Sequence, residues 1–187
     1  MPVVVFDPKA QRLTANCGGR FHQDEVSMSL RVRRLFYVGR FAAIAIVGSM
    51  PNPLYLKDIL RGLMMAVSRY EKTGAFEIDT DRFYFKEAYG KNQDVEYIIM
   101  TKKGLYLNEG LKLSTVDETT LTPFGPLAGV FNVVYAKLQN VADALSYMRN
   151  HTAFMSNENI SIDREDLRDV IDLDYREKLD NCWWTLP

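Results

Sequence analysis

Short apolar runs separated by turn-forming residues fill the first third of the chain. Val3, Val4, Val5 and Phe6 form a β-branched and aromatic run, and "QRLTAN" follows after Pro8-Lys9-Ala10, which predicts a hairpin beginning at residue 2. A strand at the N-terminus would hold that end in a sheet and keep it from fraying. "RRLFYVGRFAAIAIVGS" predicts a second strand pair turning at Gly39-Arg40 and ending at Gly48-Ser49. Phe41–Val47 is almost wholly apolar, the pattern of a strand buried on both faces. In contrast, "CGGRFHQDE" has glycines and mixed polarity and reads as a poor strand.

The period changes after Met50. Leu56, Ile59, Leu60, Leu63, Met64 and Val67 recur at helical spacing, with Asn52 placed to cap and Pro53 at the first helical position. The methionines of this stretch fit core packing better than a cofactor role. Residues 74–94 fit either a short helix capped by Asp79 or Thr80 or an irregular aromatic loop. "VEYIIMTKKGLYLN" predicts a hairpin turning at Lys103-Gly104, and "LKLSTVDETTLTPFG" adds one or two short polar-edged strands. "GPLAGVFNVVYAKLQN" predicts a helix despite its valines, and Asn140 is placed to cap a second, with Val141, Leu145 and Met148 on one face. "DREDLRDVIDLDYREKLDN" is acidic and helical in character, and the chain ends in "CWWTLP". Adjacent hairpins favour antiparallel sheets. Helices grouped in two places then predict an α+β, four-layer αββα sandwich, with two mainly antiparallel sheets between helix layers.

Composition narrows the function classes. The 187 residues are 47% hydrophobic and 25% charged, which suits one well-filled domain. The net charge of −1 gives no basic surplus, so nucleic acid is an unlikely partner. The two cysteines, Cys17 and Cys182, and the isolated His22 and His151 have no metal-ligand spacing, so neither a metal nor another cofactor is expected. The start lacks the pattern of a signal peptide, and no apolar run reaches the ~18 residues of a membrane span. A cytoplasmic protein that does not engage a membrane is expected.

The order of these pieces resembles the N-terminal nucleophile hydrolases, above all the proteasome β-subunits, the bacterial HslV-type peptidase and its small phage-encoded relatives. "VVVFDPKAQRLTANCGG" resembles the family's opening hairpin, "RVRRLFYVGRFAAIAIVGS" its basic segment and glycine-ended strand, and "EYIIMTKKGLYLNEG" its central hairpin. "TPFGPLAGVFNVVYAKL" and "NVADALSYMRNHTAFMSN" resemble the last two helices and the strand after them. The likeness covers about residues 2–160, which implies one proteasome-subunit-like domain over residues 1–160. Residues 161–187 then form an acidic, Trp-containing tail packed on the same domain or on a neighbouring subunit.

The departures from this pattern concern chemistry. The family's nucleophile is an N-terminal threonine whose own α-amine, with a pKa near ~8, serves as base. Here that place holds Met1-Pro2, and methionine removal would leave Pro2, which lacks a nucleophilic side-chain atom. In a gapless comparison the family's aspartate falls at Cys17 and its lysine at Arg31, and "FGPLAG" lacks the helper serine. An arginine stays protonated where a buried lysine can be tuned towards neutrality. Gly48, followed by Ser49, keeps the place of the oxyanion donor. The resemblance therefore implies a non-catalytic, phage-type member of the family: a homo-oligomer, with a ring as the family's arrangement, acting by protein binding.

Alternatives stay open for several residues. Cys17 is either a buried thiol at a strand end or, after cleavage behind Asn16, an N-terminal nucleophile of the kind some family branches use. Pro2 is either an ordinary strand start or a secondary amine acting as base. Arg20, Arg31, Arg33, Arg34 and Arg40 form either a solvated surface cluster or, for Arg33 and Arg34 above all, an interface. Trp183 and Trp184 either close the protein's own core or dock on a neighbouring subunit, the latter being favoured.

Overall fold

The computed structural model describes residues 3–23, 26–30, 33–48, 50–51, 53–78, 95–151, 155 and 158–169. The expected opening hairpin is present as β1 (Val4–Asp7) and β2 (Arg12–Asn16), paired antiparallel with Val4 opposite Ala15. Its turn is held by Asp7, whose Oδ1 accepts the N–H groups of Lys9 (2.9 Å) and Ala10 (3.3 Å). A second hairpin joins β3 (Gly19–Gln23) to β4 (Val26–Leu30). The stretch "CGGRFHQDE" reads as a poor strand, and cross-strand backbone bonding to Val26–Leu30 makes Gly19–Gln23 a strand despite its weak local propensity.

The strand pair around Gly39-Arg40 is β5 (Leu35–Val38) and β6 (Ala42–Gly48). Gly39 (φ 56°) and Arg40 (φ 52°) both take left-handed backbone, the two-residue turn whose twist suits a hairpin. Helix α1 (Pro53–Thr73) follows, ended by Gly74 (φ +76°), whose N–H returns to the Tyr70 carbonyl at 2.8 Å. The ambiguous stretch beyond Ile78 lies outside the described residues up to β7 (Val95–Thr101). Strands β8 (Leu105–Glu109) and β9 (Lys112–Thr115) complete a five-stranded sheet of order β5-β6-β7-β8-β9. Strand β10 (Thr122–Phe124), helices α2 (Ala128–Leu138) and α3 (Val141–His151), and β11 (Asn159–Asp163) close the chain onto a four-stranded sheet of order β10-β1-β2-β11. As its position suggests, Asn140 caps α3, its Oδ1 accepting the Asp143 N–H at 3.0 Å.

Three apolar clusters define the layers. The α1 stripe of Leu56, Ile59, Leu60, Leu63, Met64 and Val67 packs on Phe36, Ile44, Ile46, Tyr97 and Ile99 of the five-stranded sheet. The opposite face of that sheet, with Leu35, Ala43, Ala45, Val47 and Ile98, meets Val4, Phe6, Leu13 and Ile162 of the four-stranded sheet. Val3 and Val5 then cover Phe131, Ala144, Leu145 and Met148 of α2 and α3. The result is the expected α+β sandwich of helix, sheet, sheet and helix layers. Strand β6 is two-sided: Ala42, Ile44 and Ile46 face α1, while Ala43, Ala45 and Val47 face the sister sheet, and the two small alanines on that side let the sheets approach closely.

Of the acidic segment the structure describes residues 163–169: Arg164–Asp166 form a 3-10 turn, Leu167 is in extended backbone and buried between the sheets, and the rest of the expected helix lies outside the described residues. Residues 170–187, including Trp183 and Trp184, lie outside the described residues. Among the described residues no helix is long and apolar enough to cross a membrane.

The seam between the sheets predicts an asymmetric response to mutation. Ala45→Leu, which overfills the gap between sheets, should cost about 1–3 kcal/mol. Ile44→Val, on the helix side of the same strand, should cost about 0.5–1.5 kcal/mol. Chemical denaturation of the two variants beside the parent checks both figures.

Candidate functional site

Three segments converge at one end of the seam: the end of β2, the residues leading into β5, and the end of β6. Arg34 stands one residue before β5, and its carbonyl accepts the Ile46 N–H at 2.8 Å, so its backbone continues the β5–β6 pairing. Its side chain turns inward. Nε donates to the Gly18 carbonyl at 3.1 Å, and Nη1 donates to the carbonyls of Ile46 (3.3 Å) and Gly48 (2.6 Å). One guanidinium thereby joins the end of the four-stranded sheet's β2 to the end of the five-stranded sheet's β6.

Arg34 is only 4% exposed. This corrects its reading as a surface or interface cation: its fork is turned onto main-chain acceptors inside the seam. Burial pulls its pKa down to about 10, with Cys17 acting in the opposite direction, so it stays protonated at neutral pH. Carbonyl dipoles take the place a carboxylate would have beside a buried cation.

Cys17 lies beside this group and is 1% exposed. Its N–H donates to the Glu158 carbonyl at 3.0 Å, which anchors the end of β2 to the approach to β11. The preceding Asn16 is tied down as well, its N–H to the Val3 carbonyl (3.0 Å) and its Nδ2 to Asn159 Oδ1 (2.9 Å). Gly48 has φ +87°, a conformation that favours glycine, and this turns its carbonyl onto Arg34.

Of the residues singled out in the sequence, the fold thus brings Cys17 and Gly48 together. Pro2, Arg31 and Ser49 lie outside the described residues. Arg33 faces away from the seam, with Nε on the Leu35 carbonyl (2.9 Å) and its guanidinium 5.5 Å from the Phe36 ring centre. Sequence reasoning missed the inward turn of Arg34, which adjoining arginines ahead of a strand do not signal. It also missed Glu96, which β7 sets directly opposite Glu109 and beside Val47 of β6. Burial, and then the neighbouring Glu109, raise the Glu96 pKa. Among the described residues no group of three or more His, Cys, Asp or Glu is placed to hold a metal ion.

As a chemical device this end of the seam is a cation held by fixed dipoles. A guanidinium locked in its protonated form has no capacity to accept a proton from a nucleophile at neutral pH.

No family model and no curated protein matches the sequence. Solved structures do match. Eukaryotic HslV from Trypanosoma brucei superposes with a TM-score of 0.56 at 8% identity, covering 87% of this chain and 98% of that one. BPH from Thiobacillus denitrificans in complex with epoxomicin gives 0.56 at 13% identity, over 87% and 97%. A second structure of BPH from Thiobacillus denitrificans gives 0.54 at 13% identity, over 87% and 96%. The chain therefore has the HslV-like, N-terminal nucleophile hydrolase fold that the sequence resemblance implied.

Two measurements probe this end of the seam. Arg34→Met, which leaves three carbonyls without their donor, should lower stability by about 2–4 kcal/mol in chemical denaturation and speed modification of Cys17 by a thiol reagent, with Arg34→Lys intermediate. Glu96 predicts a pH effect of definite sign. Its raised folded pKa penalises the ionised carboxylate, so this group's contribution to stability falls as pH rises through and above the ordinary value of 4.5. Glu96→Gln should therefore melt higher than the parent at pH 7, with the gap closing near ~pH 4.

Proposed function

We propose that this chain is a non-catalytic protein on the N-terminal nucleophile hydrolase fold, which assembles with copies of itself and works by binding protein. The observation that carries the reading is the Arg34 side chain. It lies in the seam between Gly18 and Gly48, against Cys17 and Gly48, the positions where the resemblance sets a carboxylate and an oxyanion donor. A side chain that is protonated and spent on carbonyls supports a structural use of that space.

The competing reading makes Cys17 or the Pro2 amine a nucleophile. Cys17 is closed to an approaching substrate, and its backbone is bonded on the β11 side. Cleavage behind Asn16 would cut β1 and β2, half of the four-stranded sheet, away from the rest. Both facts favour the non-catalytic reading.

Helix α2 supports self-assembly. Lys137 is the one charged residue in "AGVFNVVYAKL", yet Val133 is 63% exposed and Val130 and Leu138 are 42% exposed. A helix apolar on most sides is normally covered, and a second copy of the same face would cover this one. In this reading Arg33, Trp183 and Trp184 serve contacts between copies or with a protein partner, and Arg34 does not.

Light scattering combined with a peptidase assay and intact-mass measurement tests the proposal. The parent should run larger than a monomer, and Val130→Asp/Val133→Asp should run smaller while staying folded. A fluorogenic peptide should not be cleaved, and the mature chain should retain residues 1–16 or lose Met1 alone. A strictly monomeric parent at micromolar concentration, or peptide hydrolysis abolished by Cys17→Ser, would overturn it.

A further inference from the structure

The β1–β2 turn lies at the other end of β2 from Cys17, so a second feature sits away from the Arg34 seam. Here three segments enclose a solvent-open cleft of about 560 Å³: the β1–β2 turn with Gln11 and Arg12, the β7–β8 turn with Lys102, and the end of β11 with Asp163, Arg164 and Glu165. A volume of this size accommodates a small metabolite.

The cleft is built on a rigid frame, and Arg164 is the reason. Its backbone N–H donates to the Gln11 carbonyl at 2.8 Å, and its Nε donates to the Thr101 carbonyl at 2.9 Å. Its remaining nitrogens bond Gln11 Oε1 and pair with Glu118, while its guanidinium lies 5.6 Å from the Phe6 ring centre. Gln11 is in turn fixed by its Nε2 bond to the Pro8 carbonyl at 2.8 Å. Arg164 and Gln11 therefore hold the walls together and leave recognition to their neighbours.

Three neighbours remain available for a ligand. Arg12 spends Nε (2.5 Å) and Nη2 (3.4 Å) on Asp163, and a guanidinium carries five N–H donors, so it keeps donors in hand. Lys102 is an exposed ammonium on the β7–β8 wall, and Glu165 is an exposed carboxylate whose field reaches Arg12. Two cations and one anion around a solvent-open cleft match a ligand with a carboxylate at one end and an ammonium at the other.

We propose that this cleft binds a small zwitterion of the amino-acid or dipeptide class. The ligand's carboxylate is taken by Arg12 and Lys102 and its ammonium by Glu165. Opposite charges at two points also give discrimination, because a molecule lacking either one leaves a charged wall unpaired. The site shares no residue with the Cys17–Arg34 seam, so it stands or falls independently of the function proposed above.

The experiment is an NMR titration of the full chain with glycylglycine, read at the backbone amides of Gln11, Arg12, Lys102, Asp163, Arg164 and Glu165. Saturable shifts confined to these amides are expected at millimolar probe. N-acetylglycine, which lacks the ammonium, and glycinamide, which lacks the carboxylate, should each bind more weakly. Lys102→Ala and Glu165→Gln, both at exposed positions, should each weaken glycylglycine binding about two- to fivefold, as for single exposed ion pairs. The proposal is overturned if these amides do not move, if the three probes bind alike, or if the Lys102→Ala/Glu165→Gln double variant binds glycylglycine as the parent does.

Discussion

Burying a guanidinium is unfavourable unless its donors are met, and the geometry around Arg34 follows from meeting that demand. Its acceptors are main-chain carbonyls of Gly18, Ile46 and Gly48, so the constraint acts on the backbone and not on side chains that could swing aside. The ends of β2 and β6 belong to different sheets, and the arginine fixes their separation. Small residues at Ala43 and Ala45 then let the sheets close along the rest of the seam. The same demand gives Gly48 its left-handed backbone, since the carbonyl has to face inward.

The sequence was most readable where local pattern and long-range packing agree. The α1 stripe, the hairpin turns at Gly39-Arg40 and Lys103-Gly104, and the cap at Asn140 are local devices whose meaning does not depend on distant partners. The hairpin of Gly19–Gln23 with Val26–Leu30 was not readable, because its strand character comes from pairing and not from composition. The 3-10 turn at Arg164–Asp166 was hidden for a related reason: the place of Leu167 between the sheets depends on distant partners and not on local pattern.

The site was readable only in part. The substitution of a thiol for a carboxylate at Cys17 was visible by comparison with the family pattern. The buried Arg34 beside it was not, because an arginine among arginines looks like surface until the converging strand ends are known. The opposition of Glu96 and Glu109 likewise depends on the β7–β8 register, which is set at the turn between the two strands.

The strand order of the two sheets carries a consequence for how the chain reaches this state. Strands β5 to β9 are consecutive in sequence and neighbours in space, and α1 lies between β6 and β7 along the chain, so that half has mostly short-range contacts. The other sheet is stitched from opposite ends of the chain: β1 waits for β10 at Thr122–Phe124, and β2 waits for β11 at Asn159–Asp163. Closing loops of that length is the slow part of folding. On a ribosome, the first strands to emerge would be among the last to find all their partners, and their apolar faces would stay uncovered while the middle of the protein is already in place.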